Sequence, residues 1–154
     1  ALFLPYFIMQ STLGTLYDEA LAPYLDGSMP AEQAIELGGS IIKGFMVENT
    51  RQNDLMMFAD LAGDAAYEGP EDVPFSVLLP SFMTSELKTA FQIGFLLFLP
   101  FLVIDMVIAS ILMSLGMMML SPVLVSLPFK LLLFVLVDGW ALTVGSLAAT
   151  YGSM

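Results

Sequence analysis

The second half of the chain is almost free of charge, and this limits the available folds more than any other feature. From Thr89 to Met154 the only charged residues are Asp105, Lys130 and Asp138. A helix needs about 20 apolar residues to cross the hydrocarbon core of a bilayer, so this stretch is long enough for two such helices. Few water-soluble domains contain a segment of this kind. The pattern predicts an all-α protein built from kinked hydrophobic helical hairpins.

The composition supports a membrane protein and excludes several functions. The chain is 58% hydrophobic and 12% charged, whereas a typical soluble domain carries about 25% charged residues. With four Lys and Arg residues in total, the chain cannot neutralise a phosphate backbone, which excludes nucleic-acid binding. Without Cys or His it offers no zinc, haem or iron–sulfur ligand set and no thiol or imidazole catalyst. We expect no metal, no cofactor and no enzyme activity.

The negative charge is concentrated in one stretch. Residues 18 to 72 hold twelve of the fifteen acidic and two of the four basic residues, a net charge of −10. We interpret this stretch as a water-facing amphipathic helical module. Its first helix is expected to start near Pro30, and its second to be capped by Asn49 or Thr50 and to end near Gly63. A module this small gains stability from oligomerisation, and we place Phe45 and Phe58 in it as core or oligomer contacts.

The chain therefore divides into three segments. Residues 1–17 form the end of an apolar helix, residues 18–72 the acidic amphipathic helical oligomerisation module, and residues 73–154 the hydrophobic helical hairpins. The chain begins inside an apolar run without an initiator Met, so we interpret it as a fragment.

Proline and glycine residues predict the breaks in the third segment. Ser81, Thr84 or Ser85 is expected to cap a helix that continues to Leu120. From Thr89 to Leu120 that helix would measure about 48 Å, more than the roughly 30 Å of hydrocarbon, so it must tilt, kink or break. The expected breaks are Pro100, Gly116, a turn at Ser121-Pro122 and Pro128, followed by a last helix from Leu131 to Tyr151.

Asp105, Lys130 and Asp138 require compensation, because a charge at mid-membrane costs about 2.5 to 3.5 kcal/mol. If the chain turns at Ser121-Pro122, both acids lie about 16 residues from the turn and Lys130 about 8 residues from it. We therefore expect Lys130 to find its acid on another copy or another subunit. Alternatively, Lys130 and Asp138 extend to the membrane interfaces.

Two acids at equal depth also raise an intramembrane aspartyl protease as an alternative. The sequence signal for it is weak. Asp138 lacks the Gly-x-Gly-Asp context of such enzymes, and no Tyr precedes Asp105.

Three consecutive methionines, Met117, Met118 and Met119, follow Gly116. Methionine is flexible and polarizable, so these side chains are suited to a deformable constriction that closes around changing contents. Alternatively, they fill gaps in helix packing.

Several contiguous blocks resemble one known family. The block from Pro80 to Phe95, PSFMTSELKTAFQIGF, resembles the signature of the FliP family of flagellar export-gate proteins, which is related to the SctR proteins of virulence injectisomes. Similar blocks are Pro100 to Ser110, Gly116 to Met119, and Leu127 to Asp138 with the following Gly-Trp. Ser81 is a departure, since the family usually has Ala there. The resemblance also implies a signal sequence and a further hydrophobic segment ahead of residue 1.

The resemblance implies a subunit of the bacterial inner membrane and flagellar basal body. Several copies would assemble with FliQ-like and FliR-like subunits, next to FlhB-like and FlhA-like export components, into a helical pore for unfolded proteins. Residues 18–72 would lie on the periplasmic side. Met117, Met118 and Met119 match a methionine-rich gasket that closes the pore. The charged site residues would be Glu86 and Lys88 in the signature, together with Asp105, Lys130 and Asp138.

Two other functions remain open at this point. An ion channel or secondary transporter subunit would use Asp105 and Asp138 as cation or proton sites. A purely structural scaffold would use neither these acids nor the methionines. No Gly-x-x-x-x-Gly-Lys-[Ser/Thr] motif occurs, so in each case the energy for transport comes from elsewhere.

Overall fold

The computed structural model describes residues 2–64 and 67–152, and every regular element within these ranges is helical. This confirms the all-α prediction. Residue 1, where the first predicted segment begins, and residue 154, where the third ends, lie outside the described residues. In chain order the elements are α1 Phe3–Leu16, a π-helical turn Tyr17–Leu21, α2 Ala22–Leu25, α3 Ala31–Glu48, α4 Gln52–Ala62, a 3-10 turn Pro70–Asp72, α5 Phe75–Ser114, α6 Pro122–Leu136 and α7 Gly139–Ala149.

The chain forms two compact units, Ala1–Lys88 and Thr89–Met154. The boundary falls inside α5. These units differ from the three segments predicted from composition, which are 1–17, 18–72 and 73–154. The first unit contains the first two segments and the start of the third.

In the first unit, α3 begins after Pro30 as predicted, and Gly63 ends α4 with a φ of 77°. The predicted cap of α4 is wrong. Arg51 precedes the first turn, while Asn49 Nδ2 donates to the Phe45 carbonyl at 2.8 Å and Thr50 Oγ1 to the Met46 carbonyl at 2.6 Å. Both polar side chains therefore satisfy carbonyls at the end of α3, where the last four carbonyls of a helix have no backbone partner.

The core of the first unit lies among α3, α4 and the start of α5. Its buried members are Met46, Ala59, Val73, Val77 and Leu78, and Phe45 and Phe58 pack against them while remaining partly exposed. The Phe45 and Phe82 rings lie 6.4 Å apart between centroids. A contribution of Phe45 and Phe58 to oligomerisation stays a prediction.

Helix α5 begins at Phe75, so the predicted cap at Ser81, Thr84 or Ser85 is wrong. Ser81 is instead fully buried within the helix and donates to the Val77 carbonyl at 2.6 Å. The helix also continues through Pro80 and Pro100, so Pro100 is not a break. A proline removes one backbone hydrogen bond, but apolar helices tolerate this loss when neighbouring groups satisfy the freed carbonyl.

In the second unit, α5 ends at Ser114 and Gly116 has a φ of 70°, which confirms the predicted break at Gly116. Pro128 lies inside α6 and is not a discontinuity. The predicted last helix, Leu131 to Tyr151, is divided in two, because α6 and α7 meet at an angle of 61°.

Asp138 and Gly139 fix the bend between α6 and α7. Asp138 has a φ of 51°, in the left-handed region, and Gly139 is buried against the ring of Phe134. That ring also packs edge-on against Trp140, with centroids 5.5 Å apart. A non-glycine residue with positive φ is uncommon, and the sequence pattern offered no sign of it at an aspartate.

Within the part of the chain that the structure describes, one helix, α5, is long and apolar enough to cross a membrane. The bent pair of α6 and α7 would count as a second span if taken together. At about 60 Å, α5 is longer than the hydrocarbon thickness of about 30 Å.

Replacing Gly139 with Ala is expected to destabilise the second unit by about 1–3 kcal/mol. The added Cβ would overlap the ring of Phe134, so the ring or the backbone must move. Unfolding in mixed detergent micelles measures the change. Gly145→Ala is the matched control, because nothing lies within 4 Å of a Cβ at that position. Equal stability of the two variants would contradict this account of the bend.

Candidate functional site

The seven residues between α5 and α6, Leu115–Ser121, form a compact turn that we call the methionine loop. The Met117 amide donates to the Leu112 carbonyl at 2.9 Å, and the Leu120 amide donates to the Met117 carbonyl at 3.3 Å. The glycine at 116 permits the positive φ that reverses the chain there. Backbone hydrogen bonds to the end of α5 and within the loop therefore hold this turn.

The methionine loop presents its thioethers outward. Met117, Met118 and Met119 are 46%, 77% and 100% exposed. Unbranched, polarizable side chains of this kind adapt to irregular surfaces. They lie between the two strongly apolar helices α5 and α6, where they form an exposed, deformable apolar surface.

An ion pair joins the two helices that flank the methionine loop. Lys130 Nζ on α6 lies 2.7 Å from Asp105 Oδ1 on α5, and the two side chains are 20% and 24% exposed. Ser126 is fully buried and its hydroxyl donates to the same carboxylate oxygen at 2.6 Å. The Asp105 carboxylate is thus held by a cation and a hydroxyl.

The expectation that Lys130 pairs with another copy or subunit is wrong, since its acid lies in the same chain. That expectation assumed helices up to a turn at Ser121-Pro122. Because α5 ends at Ser114 and α6 starts at Pro122, Asp105 lies nine residues before one helix end and Lys130 eight residues after the other helix start. At about 1.5 Å per residue, the two groups are at matching heights.

Ser126 is not among the site residues predicted from the sequence. Its signal was the spacing to Lys130, since residues four apart lie on the same helix face. Only the structure shows that this face meets Asp105.

A second charged pair lies in the first unit, between α4 and α5. Asp54 is 1% exposed and its Oδ1 pairs with Lys88 Nζ. Its Oδ2 accepts no hydrogen bond from the part of the chain that the structure describes. One turn earlier on α5, Ser85 Oγ accepts a hydrogen bond from the Arg51 amide at 3.0 Å. Two polar contacts therefore fix the first turn of α4 on α5.

Lys88 was predicted as a site residue, whereas Asp54 and Ser85 were not. The other predicted charges lie elsewhere. Glu86 is half-buried on α5, and Asp138 is exposed at the bend between α6 and α7. Within residues 2–64 and 67–152, Asp138 forms no ion pair.

The acidic stretch shows local electrostatic effects. The hydroxyl of Tyr67 donates to Asp64 Oδ2 at 2.6 Å, and this hydrogen bond, with smaller contributions from burial and from the charge of Asp64, raises the pKa of Tyr67 to about 12. Lys43 Nζ donates to the Glu71 carbonyl at 3.1 Å and lies 5.0 Å from the centroid of the Phe75 ring. No cluster of three acidic residues suited to a metal ion occurs among the described residues.

The model of the FliP family matches residues 1–147 of the chain. The chain belongs to the FliP family. A flagellar biosynthetic protein FliP of Cereibacter sphaeroides is 76% identical over 151 residues, which are 98% of this chain and 50% of that protein. The protein of the same name from Pectobacterium carotovorum is 55% identical over 152 residues, 99% of this chain and 59% of that protein. The flagellar biosynthetic protein FliP of Bacillus subtilis is 52% identical over 151 residues, which are 98% of this chain and 68% of that protein.

The resemblance of residues 80–95 to the FliP signature is thereby confirmed. The chain spans about half the length of the first two of these FliP relatives.

Proposed function

We propose that this FliP-family chain is a core subunit of the flagellar type III protein export gate. Several copies form, with FliQ-like and FliR-like subunits, a channel for unfolded flagellar proteins. Family membership supports this proposal, as do the relatives that carry the name flagellar biosynthetic protein FliP. The observation that supports closure of the channel by this chain is the exposed methionine loop between two apolar helices.

In this proposal, methionine loops from neighbouring copies meet and close the resting channel as a gasket. Thioether side chains with three rotatable bonds repack around a polypeptide of any sequence and close again behind it. A rigid aromatic ring or a β-branched side chain would either leave gaps or block the passage. Energy for export comes from other components.

The proposed location is the bacterial inner membrane at the flagellar basal body, with FlhA-like and FlhB-like components as neighbours. Residues 18–72 lie on the periplasmic side in this proposal and contribute to self-association through Phe45 and Phe58. The net charge of this module, −10, favours a position in water over one in lipid.

The ion channel or transporter alternative is less well supported. It uses Asp105 and Asp138 as cation or proton sites, but Asp105 Oδ1 already pairs with Lys130 and accepts a hydrogen bond from Ser126. Asp138 is exposed at the bend between α6 and α7. The scaffold alternative differs from a gasket in one measurable respect, because only a gasket changes leak when its side chains are shortened.

Replacing Met117, Met118 and Met119 together with Ala is expected to raise the leak of ions or small dyes severalfold through the assembled gate. Each substitution removes a thioether and leaves a gap that the neighbouring loops do not fill. Membrane vesicles that contain the full-length protein and its partners provide the measurement, and native gel migration checks assembly. Met56→Ala with Met57→Ala is the matched control, because these methionines are also exposed but lie on α4. Unchanged leak in a normally assembled triple variant would falsify the gasket.

A further inference from the structure

We infer that Asp138, at the bend between α6 and α7, binds a lysine or arginine side chain of a different polypeptide and so fixes that partner on the second unit. The inference rests on the proposed function, in which this chain assembles with other subunits. It adds to that function the residue that binds one of them and the chemistry of the group that it binds.

Asp138 is the one charge of the second unit that has no ion-pair partner in the described part of this chain. The other two charges of the unit, Asp105 and Lys130, pair with each other. The Asp138 side chain is exposed and forms no capping hydrogen bond to α7. Ionised side chains within apolar helical segments are costly and almost always pair with another group. The second unit alone therefore leaves one negative charge uncompensated.

The bend itself does not require the charge of Asp138. The φ of this residue is 51°, in the left-handed region. Asparagine enters that region as readily as aspartate does, and glycine enters it without steric cost. Either of these uncharged residues would allow the same chain direction, so the carboxylate is available for a contact outside the second unit.

The residues next to Asp138 in the chain indicate what kind of segment carries the cation. Val135, Leu136, Val137 and Trp140 are all exposed apolar side chains. A partner that covers Asp138 also covers some of this apolar surface, and the exclusion of water strengthens the attraction between opposite charges. The matching partner is a lysine or arginine on an otherwise apolar helix.

A second copy of this chain offers no free cation for Asp138. The chain contains four lysine and arginine residues, and the structure describes all of them. Lys88 and Lys130 form ion pairs, Lys43 donates to a backbone carbonyl, and Arg51 also has a partner. The cation that compensates Asp138 is therefore expected on a different polypeptide.

The role of the charge is tested by co-purification from membranes that contain the full-length protein and its partners. Asp138→Asn keeps the side-chain size and the tolerance of positive φ but removes the charge, so the co-purified partner should fall at least about fivefold. Asp138→Glu keeps the charge and should retain more partner than Asp138→Asn. A role in shaping the bend predicts the opposite order, because asparagine suits a positive φ better than glutamate. Equal co-purification by Asp138→Asn and the parent protein would overturn the inference.

Two further variants control for folding and for net charge. Asp138→Gly, in which a positive φ costs least, should lose the partner as Asp138→Asn does, while unfolding of both purified variants stays close to that of the parent. Glu68→Gln removes an exposed carboxylate from the first unit and should leave co-purification unchanged. An equal loss of partner in Glu68→Gln would mean that net charge and not Asp138 is responsible, which contradicts the inference.

The source of the cation is tested by charge reversal. Asp138→Lys is expected to abolish co-purification, and second-site changes that restore it should replace a lysine or arginine of another polypeptide with an acidic residue. A restoring change at a cation of this protein would overturn the inference. Loss of the partner from membranes without phosphatidylethanolamine, with Asp138 intact, would also overturn it, since the cation would then be a lipid ammonium group.

The outcomes separate this inference from the proposed function. If the parent protein co-purifies with no other polypeptide, the proposed assembly fails and this inference fails with it. If the parent co-purifies with partners and Asp138→Asn does so equally, the proposed function stands and only the role of Asp138 is lost.

Discussion

Replacing Lys130 with Met is expected to destabilise the second unit, because it leaves the Asp105 carboxylate without its cation. Lys130 Nζ lies 2.7 Å from Asp105 Oδ1, and the two side chains are only 20% and 24% exposed. Removal of one partner from an ion pair leaves the other charge uncompensated. The loss is smaller than for a fully buried pair, because water still reaches both groups.

Combining Lys130→Met with Asp105→Asn is expected to recover much of this loss. With no charge left, neither position holds an uncompensated ion, and Ser126 still has an oxygen at position 105 to which it can donate. The double variant should therefore be more stable than the Lys130→Met variant, so the effects of the two substitutions should not add.

Unfolding in mixed detergent micelles and the level of assembled protein in membranes measure both effects. Lys130→Arg is the matched control, since it keeps a cation near Asp105, and it should cost less than Lys130→Met. A Lys130→Met variant as stable as the parent would show that this ion pair contributes nothing to the packing of α5 against α6.

Local sequence signals predicted much of the first unit. Pro30 fixed the start of α3, because its φ suits the entry to a helix and it needs no hydrogen-bond donor. Gly63 and Gly116 marked chain reversals, because a positive φ costs glycine little. The apolar periodicity of residues 30–62 was sufficient for two helices.

Two errors, the predicted breaks at Pro100 and Pro128, share a physical cause. Pro80, Pro100 and Pro128 all lie inside helices. In a soluble helix such a residue costs about 3 kcal/mol or more. In long apolar helices the loss of one hydrogen bond is tolerated when tertiary neighbours restore it, and neighbours are not visible in sequence.

The bend between α6 and α7 is a helix break that the sequence did not predict. It depends on Asp138 in a left-handed conformation and on the approach of Phe134 to Gly139. Both are tertiary effects. The pairing of Lys130 with Asp105 was missed because the predicted helix continued to Leu120, whereas α5 ends at Ser114. This error shifts the expected height of Asp105 relative to Lys130 by about two helical turns.

The buried pair in the first unit gives the second large expected effect. Replacing Lys88 with Met is expected to destabilise this unit by about 3 kcal/mol. The Asp54 side chain is 2% exposed and the Lys88 side chain 50% exposed. Loss of Lys88 leaves the buried Asp54 carboxylate without a cation, and its Oδ2 already lacks a hydrogen bond within the described residues.

Replacing Asp54 with Ala is expected to cost less, about 1–2 kcal/mol, because the half-exposed ammonium of Lys88 turns into water once its partner is gone. The double variant then measures directly how much more the loss of Lys88 costs than the loss of Asp54. Adding Lys88→Met to Asp54→Ala should cost little further, so the double variant is expected to be more stable than Lys88→Met alone.

Denaturant unfolding of the full-length protein, followed by hydrogen exchange in α4, reports on the first unit. Lys43→Met is the matched control, since Lys43 also ties two elements together but donates to a backbone carbonyl at 3.1 Å and leaves no buried charge when removed. If the double variant is as unstable as Lys88→Met, the stranded carboxylate is not the cause of the loss. If it is more stable, the Asp54 carboxylate and not the methylene stem of Lys88 determines how firmly α4 is held on α5.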